Sequence, residues 1–294
     1  MDCSGICRKL FGAVCGLALV AAIAGRASAS EVPVASASLQ QLLDQQCPAG
    51  DAMLQANDSD YGRKLIRLIR RRAFNPGLAL NLKQSGVVQL CIEVSRDGQI
   101  LQVRMQNSSG YFMLDGAALY SAGRAKTYGV YALPDELGGA AANVWFTVPV
   151  EFSIAGQPGA SAPPVHAIDE PKPDCELGGK HPASSDSWQY SPEGQQYLVR
   201  IKKAFEDEMA YPPDAESQSE EGHVMVCMVL NRQGQLLNAR LSRSSGDPLF
   251  DGVMLMAVGM VEAKAHIGPV PAAVSGTDNY FMFSFPVDWE MRQR

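Results

Sequence analysis

The chain contains one sequence unit twice, and the spacing between the two copies is constant. The matching segments are GVVQLC at Gly86–Cys91 and GHVMVC at Gly222–Cys227, Ser108–Gly110 and Ser244–Gly246, and Leu114–Gly116 and Phe250–Gly252. Every pair is separated by 136 positions, and Tyr61 and Tyr197 keep the same offset. A repeat of this length has the size of a domain and not of a solenoid unit. The 294-residue chain is therefore predicted to hold two copies of one small domain, copy one and copy two.

Apolar spacing and turn residues predict the same order of elements in both copies: helix, strand, strand, helix, strand. The first helix is indicated by the apolar residues Tyr61, Leu65 and Ile69 in copy one and Tyr197, Ile201 and Phe205 in copy two. Gly98 and Gly234 mark a hairpin after it, and Asp115 and Asp251 are candidate caps of a second helix. The predicted fold class is α+β, with two tandem α-β-β-α-β domains. Each is expected to be an antiparallel three-stranded sheet with helices on one face.

Composition along the chain sets the expected boundaries. Arg8 and Lys9, an apolar run and the small residues Ala27-Ser28-Ala29 have the layout of a signal peptide over residues 1–29, with cleavage expected after Ala29. An uncleaved anchor is the rival interpretation, but the apolar run is short for one. We expect copy one over 40–155, a Pro/Gly/Ala-rich linker over 156–173 and copy two over 174–292. The protein is predicted to lie in the periplasm.

Four cysteines follow the predicted cleavage site: Cys47, Cys91, Cys175 and Cys227. An even count in an exported chain indicates disulfides. Cys91 and Cys227 are repeat equivalents, and Cys47 and Cys175 each precede the first helix of a copy. The repeat therefore favours the pairs Cys47–Cys91 and Cys175–Cys227, one in each domain. Free buried thiols remain the alternative.

Charge is low overall but unevenly placed. The formal net charge is −6, and a negative chain does not favour binding to the negative phosphates of a nucleic acid. The first helix of copy one nevertheless carries Arg63, Lys64, Arg67, Arg70, Arg71 and Arg72, whereas its counterpart ends in Glu206, Asp207 and Glu208. Three interpretations stay open at this stage: two solvated helix faces of opposite sign, docking of the copies on each other, or an acidic partner for the basic helix.

The last strand of each copy contains a proline, at Pro149 and Pro286. Since proline cannot donate a hydrogen bond to a sheet, we expect both strands, Phe146 to Ile154 and Tyr280 to Val287, at sheet edges. An exposed edge can accept an added strand from a partner.

These ordered motifs resemble the C-terminal domain of TonB-type energy transducers and, more distantly, that of TolA. The resemblance is carried in copy one by Gly86, Gly98, Ser108–Gly110, Leu114-Asp115 and Val148–Phe152, and in copy two by Gly222, Gly234, Ser244–Gly246, Phe250-Asp251 and Pro286-Val287. It implies a periplasmic protein-binding module that pairs an extended segment of an outer-membrane partner with its last strand. Transducers of the family carry an N-terminal anchoring helix with a functional His. The predicted leader of this chain contains no His and has the layout of a cleavable signal peptide, so the sequence predicts a soluble binding protein.

The predicted function is an envelope adaptor that captures extended peptides, with a possible link to TonB-dependent transport. The predicted contact residues are Thr147, Val148, Val150 and Phe152 in copy one and Phe283, Phe285 and Val287 in copy two. The alternative is a structural or inhibitory protein whose two domains, as an internal pseudo-dimer, mask each other's sheet edges. No histidine stands in a catalytic or zinc-binding motif, so we predict no enzyme activity, metal, cofactor or small-molecule substrate.

Overall fold

The computed structural model describes residues 47–48, 53–154, 191–216, 221–264, 267–275 and 280–289. The predicted signal peptide, the linker and Cys175 lie outside these residues. Copy one contains β1 (Met53–Gln55), a short 3₁₀ helix (Ala56–Asp58), α1 (Asp60–Arg72), α2 (Gly77–Asn81), β2 (Gly86–Ser95), β3 (Ile100–Asn107), α3 (Phe112–Tyr128) and β4 (Asn143–Phe152). Copy two contains α4 (Pro192–Glu206), α5 (Pro213–Glu216), β5 (Gly222–Asn231), β6 (Leu236–Arg243), α6 (Pro248–Lys264), α7 (Ala272–Ser275) and β7 (Tyr280–Trp289).

The predicted α+β class with two tandem domains is confirmed. Among the described residues, copy two has the expected three-stranded sheet, in the order β6-β5-β7. Copy one differs by one strand, because its sheet has the order β1-β4-β2-β3 and β1 runs parallel to β4. The sequence carries no signal for β1, because three residues are too few to show the alternation by which a strand is recognised.

Local signals explain where the elements begin and turn. Ser59 caps α1 by accepting a hydrogen bond from the Gly62 N–H at 3.0 Å, and Ser191 caps α4 in the same way through Gly194. Gly98 adopts a φ of 87° at the first hairpin and Gly234 a φ of 77° at its equivalent. An L-residue is strained at such a φ, which is why glycine is found at both turns.

Each copy packs its helices on one face of its sheet around a separate core. The alternate residues Val88, Leu90, Ile92 and Val94 of β2 are buried in copy one, and Val224, Val226, Met228 and Leu230 of β5 are buried in copy two. The equivalent tyrosine in each first helix, Tyr61 in α1 and Tyr197 in α4, is buried as well. Its hydroxyl donates to a loop carbonyl in both copies, from Tyr61 to Tyr131 at 2.7 Å and from Tyr197 to Gly268 at 3.1 Å. The loss of water raises the pKa of both phenols to about 12.

Asp115 and Asp251 have a different role from the helix caps that the sequence suggested. Each lies inside the first turn of its helix and accepts hydrogen bonds from the Ser-Ser-Gly turn before it. Asp115 accepts from the Ser109 N–H at 2.7 Å and from both serine hydroxyls, and Asp251 is bonded to Ser244 and Ser245 in the same pattern. Burial raises the pKa of Asp251 to about 6 in spite of these donors, and burial also raises the pKa of Asp115.

The two copies contact each other through α3 and α6, and the contacts are symmetric with respect to the repeat. A Cβ added at Gly116 would lie 2.5 Å from the Gly252 carbonyl oxygen, and one added at Gly252 would lie 2.7 Å from that of Gly116. The side chain of Leu249 packs on Gly123, and its equivalent Met113 packs on Gly259. Because glycine has no side chain, the two helix backbones can approach closely at this crossing.

Candidate functional site

The candidate site is the outer side of the last strand of each copy. β4 pairs antiparallel with β2 along its whole length, from Asn143 to Phe152, and β7 pairs in the same way with β5. Each last strand thus has its inner side satisfied, and only its outer side could accept an added strand.

The expectation that the last strand of copy one, Phe146 to Ile154, lies at a sheet edge with its open side at Pro149 is wrong at the start of the strand, at Phe146 and Thr147. β1 covers the outer side of β4 there, with Met53 opposite Trp145 and Gln55 opposite Thr147. Beyond Thr147, no strand among the described residues pairs with that side of β4. We call Val148–Phe152 the β4 open segment. Phe285–Trp289 is its repeat equivalent in β7, where the described part of the chain likewise shows no strand on the outer side, and we call it the β7 open segment.

The side chains predicted to contact a partner point mostly into the protein. Thr147, Val148, Val150 and Phe152 are buried in copy one, and so are Phe283 and Val287 in copy two, while Phe285 is half-buried. The apolar ones fill the space between sheet and helices, whereas Thr147 lies on the opposite face of the sheet, where it is paired with Cys91 and its hydroxyl contacts the Met53 sulfur. These side chains are therefore positioned to hold the strand and not to select a ligand. The side chains exposed along the two open segments are Glu151, Pro286 and Asp288. Strand alternation alone could have identified them, because they are one position out of phase with the apolar residues of the core.

The prolines indicate which main-chain groups the outer side offers. Pro149 lies opposite Gln89 of β2, and Pro286 lies opposite Met225 of β5. Residues of an antiparallel strand direct their N–H and C=O groups alternately to one neighbour and to the other. A proline lacks the N–H, so the inner ladder is complete only if its nitrogen is on the outer side. By the same alternation, Glu151 and Asp288 direct both an N–H and a C=O outward.

A disulfide attaches Cys47, which precedes β1 in the chain, to β2. Cys47 and Cys91 are joined, with their Cα atoms 5.9 Å apart, as the repeat predicted. Cys91 belongs to β2 on the face opposite the core, and it is fully buried. Cys227, its equivalent, is also in a disulfide, and its predicted partner Cys175 lies outside the described residues.

Charged side chains surround the two open segments differently. In copy one, Arg70 of α1 lies 3.5 Å from the Glu151 carboxylate, and both side chains are about half exposed. In copy two, His223 Nδ1 lies 2.8 Å from Asp288. α1 packs directly on β4 through Tyr61, whose ring centre is 5.6 Å from that of Phe146. The basic helix therefore lies beside the β4 open segment.

An apolar cleft of about 420 Å³ lies where the two copies meet. Its walls include Phe74 and Met113 from copy one and Tyr211, Met256 and Met260 from copy two. At its edge, Arg124 and Tyr120 of α3 approach the Asp214 carboxylate at 3.1 and 3.4 Å, and Lys126 approaches Asp247 at 3.3 Å. These polar contacts join the copies around the glycine crossing.

Within the described ranges, no group of three or more His, Cys, Asp or Glu side chains is placed to hold a metal ion. None of the helices described is long and apolar enough to cross a membrane.

Comparison with known proteins identifies the repeated unit. The family model for the Gram-negative bacterial TonB protein C-terminal matches residues 75–154 and, a second time, residues 207–291. Protein TonB of Pasteurella multocida (strain Pm70) is 33% identical over 78 residues, which are 26% of this chain and 29% of that protein. The chain therefore spans less than a third of the length of this relative.

Two solved structures are similar to part of the chain. The NMR structure of the Helicobacter pylori TonB C-terminal domain shares 21% identity, covering 38% of this chain and 97% of that domain with a TM-score of 0.29. The structure of the HasB C-terminal domain shares 22% identity, covering 41% of this chain and 91% of that one with a TM-score of 0.22.

The two segments matched by the family model make up more than half of the chain, and both contain the same hairpin, Ser-Ser-Gly turn and proline-bearing last strand. The chain belongs to the family of Gram-negative bacterial TonB protein C-terminal domains, and it carries that domain twice.

Proposed function

We propose that this protein is a periplasmic binding module that captures extended peptide segments of envelope proteins by strand addition to β4 and β7. The observation that carries the proposal is the arrangement of the last strands. Each has a buried inner face, a complete inner ladder and an open segment with outward main-chain groups at Glu151 or Asp288. Backbone pairing of this kind needs no particular partner sequence, since the bonds are made by main-chain atoms.

The family supports the kind of partner. TonB C-terminal domains take part in protein–protein interaction connected with TonB-dependent transport, so the proposed ligand is an extended segment of an outer-membrane receptor or another envelope protein. The proposal includes export through a signal peptide over residues 1–29, the linker over 156–173, and a second disulfide between Cys175 and Cys227.

The two copies act as an internal pseudo-dimer in this proposal. Their contact is made by α3 and α6, with Gly116 against Gly252. Neither open segment takes part in that contact among the described residues. This arrangement favours the adaptor over the alternative in which the domains mask each other's sheet edges, and it leaves one strand-addition site in each copy.

The test removes the outward N–H groups. A double variant, Glu151→Pro with Asp288→Pro, deletes one donor from each open segment, whereas the matched control, Glu151→Gln with Asp288→Asn, keeps both donors and removes only the charges. Fluorescence anisotropy with a set of labelled strand peptides of about ten residues measures binding. We expect the proline variant to lose binding and the control to retain it. Equal binding by the parent and a folded proline variant, or the absence of binding by any peptide, would reject strand addition.

A further inference from the structure

The first helices of the two copies carry different charges at equivalent positions. The segment 60–72 of copy one contains six basic residues and one acidic residue, a net charge of +5. The equivalent segment 196–208 of copy two contains three basic and three acidic residues, a net charge of zero. The greatest contrast is at the end of the helix, where Arg70, Arg71 and Arg72 correspond to Glu206, Asp207 and Glu208.

The basic residues of copy one are largely uncompensated. Lys64, Arg67 and Arg71 are exposed and form no ion pair with any described residue, while Arg63 is paired with Asp60 and Arg70 with Glu151. In copy two the acidic residues are neutralised locally. Glu206 is paired with Lys202 at 3.6 Å, Asp207 with Lys203 at 3.1 Å, and Glu208 with Lys264 at 2.5 Å.

This charge lies beside the candidate binding edge. α1 buries Tyr61, Leu65 and Ile69 against the sheet, so its basic residues are left on the outward side. Arg70 reaches the side chain of Glu151, which belongs to the β4 open segment. A strand added at that segment would run along the outer side of β4, beside Glu151 and the Arg70 side chain that reaches it. Its side chains would therefore meet the positive potential of α1.

We propose that copy one selects extended peptides carrying acidic side chains, and that copy two binds at the equivalent edge without this preference. The proposal rests on the proposed strand addition and specifies the chemistry of the partner that one of the two edges takes. Cationic side chains grouped on one helix attract carboxylates at long range and mainly accelerate association. The selection should accordingly weaken as salt shortens the Debye length.

The first experiment compares three probe peptides of one alternating Thr/Val sequence, with Glu, Gln or Lys at the same polar positions. Anisotropy is measured with the full chain at low salt and at about 0.5 M salt. We expect the Glu peptide to bind about tenfold more tightly than the Gln peptide at low salt and to lose most of that advantage at high salt. Equal affinities of the three peptides would overturn the charge selection and leave strand addition intact. No binding of any peptide would reject the proposed function itself.

The second experiment exchanges the charges between the copies. Arg70→Glu with Arg71→Asp gives copy one the residues of copy two, and we expect it to remove the preference for the Glu peptide. The reciprocal variant, Glu206→Arg with Asp207→Arg, should raise binding of the Glu peptide by copy two. Both pairs are exposed, and Arg72 and Glu208 are left unchanged because Arg72 contacts the Tyr128 ring and Glu208 is bonded to Lys264. An unchanged preference in both variants would overturn the proposal.

Two further probes separate strand addition from binding at the helix alone. A Glu peptide N-methylated at every residue has no backbone N–H to donate from either edge, so we expect it to bind at least tenfold more weakly without any change to the protein. Undiminished binding would place the acidic ligand on the face of α1 and overturn selection at the edge. Vesicles of phosphatidylglycerol test a membrane as the anionic partner. Cosedimentation with these vesicles, together with no binding of the Glu peptide, would also contradict the proposal.

Discussion

Copy one and copy two agree where the domain folds and differ where it is exposed. The tyrosine hydroxyl bonded to a loop carbonyl, the glycine hairpin and the Asp-Ser-Ser cluster are present in both. The ends of the first helices, in contrast, carry opposite charges at equivalent positions. Residues that repeat between the copies are thus those that pack or bond internally. The charge difference at the helix ends lies mainly on exposed side chains, where it leaves the shared core unchanged.

Removal of the copy-one disulfide should have the largest effect and should fall on that copy. The bond joins residues 44 positions apart, and closing such a loop stabilises a fold by about 4 kcal/mol in the chain-entropy model. We expect Cys47→Ala with Cys91→Ala to lower the free energy of unfolding of copy one by that order. Hydrogen exchange at increasing urea concentrations, with the amides of each copy followed separately, measures the free energy of unfolding of each copy. Equal losses in both copies would show that they unfold as one unit.

The buried carboxylates should show an unusual pH dependence. Burial raises the pKa of Asp251 to about 6, above its ordinary value of 3.8, so the folded state holds more protons than the unfolded state between these values. Stability due to this group therefore rises as the pH falls from 6 to 4. Relative to Asp251→Asn, the parent should gain on the order of 2 kcal/mol over this interval.

Urea unfolding at several pH values measures that gain, and the exposed Asp135→Asn provides the control. A difference between parent and Asp251→Asn that stays constant from pH 7 to pH 4 would contradict the burial argument. Asp115→Asn should show the same sign, since burial raises the pKa of Asp115 as well.

A Gly→Ala change at the crossing of α3 and α6 should lower stability, although the same change at an ordinary helical glycine raises it. Gly→Ala within a helix normally stabilises it by roughly 0.5–1 kcal/mol. At Gly116 or Gly252 the new Cβ would lie 2.5–2.7 Å from backbone atoms of the other copy, so we expect a loss of about 1–3 kcal/mol instead. Gly77→Ala, with no atom within 4 Å of its Cβ, is the matched control. Thermal unfolding that moves in the same direction at all three sites would argue against a close crossing.

The charge exchange at the helix end should have the smallest effect on stability. Arg70 and Glu151 are about half exposed, and pairs of that kind contribute about 0–1 kcal/mol. We expect Arg70→Glu with Arg71→Asp to change the free energy of unfolding by less than about 1 kcal/mol. A larger loss of unfolding free energy in chemical denaturation would mean that α1 needs these residues for folding. A change in peptide binding by this variant could then reflect partial unfolding and not the loss of charge.

Much of the fold could be read from the sequence because the repeat provides two independent copies of every signal. The phase of β2, the glycine turns and the apolar face of α1 were all predicted correctly. The three-residue β1 could not be, since it is held by pairing with β4 and has no pattern of its own. The site was only partly predicted. The proline in the last strand identified the correct strand. The side chains predicted to contact a partner, such as Val148 and Val150, are core residues instead. The outward direction of the Glu151 main-chain groups became evident only from the register of β4 on β2.

The most direct test of strand addition is amide hydrogen exchange of the full chain, measured with and without a saturating strand peptide. Glu151 and Asp288 each follow a proline by two positions, so their N–H groups point outward. An added strand must accept a hydrogen bond from each of these two N–H groups. We predict that exchange at these two amides slows on binding, while exchange at the inward-facing Val150 amide stays as slow as before. Unchanged exchange at Glu151 and Asp288, with protection appearing instead around the cleft at Phe74 and Met256, would contradict capture by strand addition.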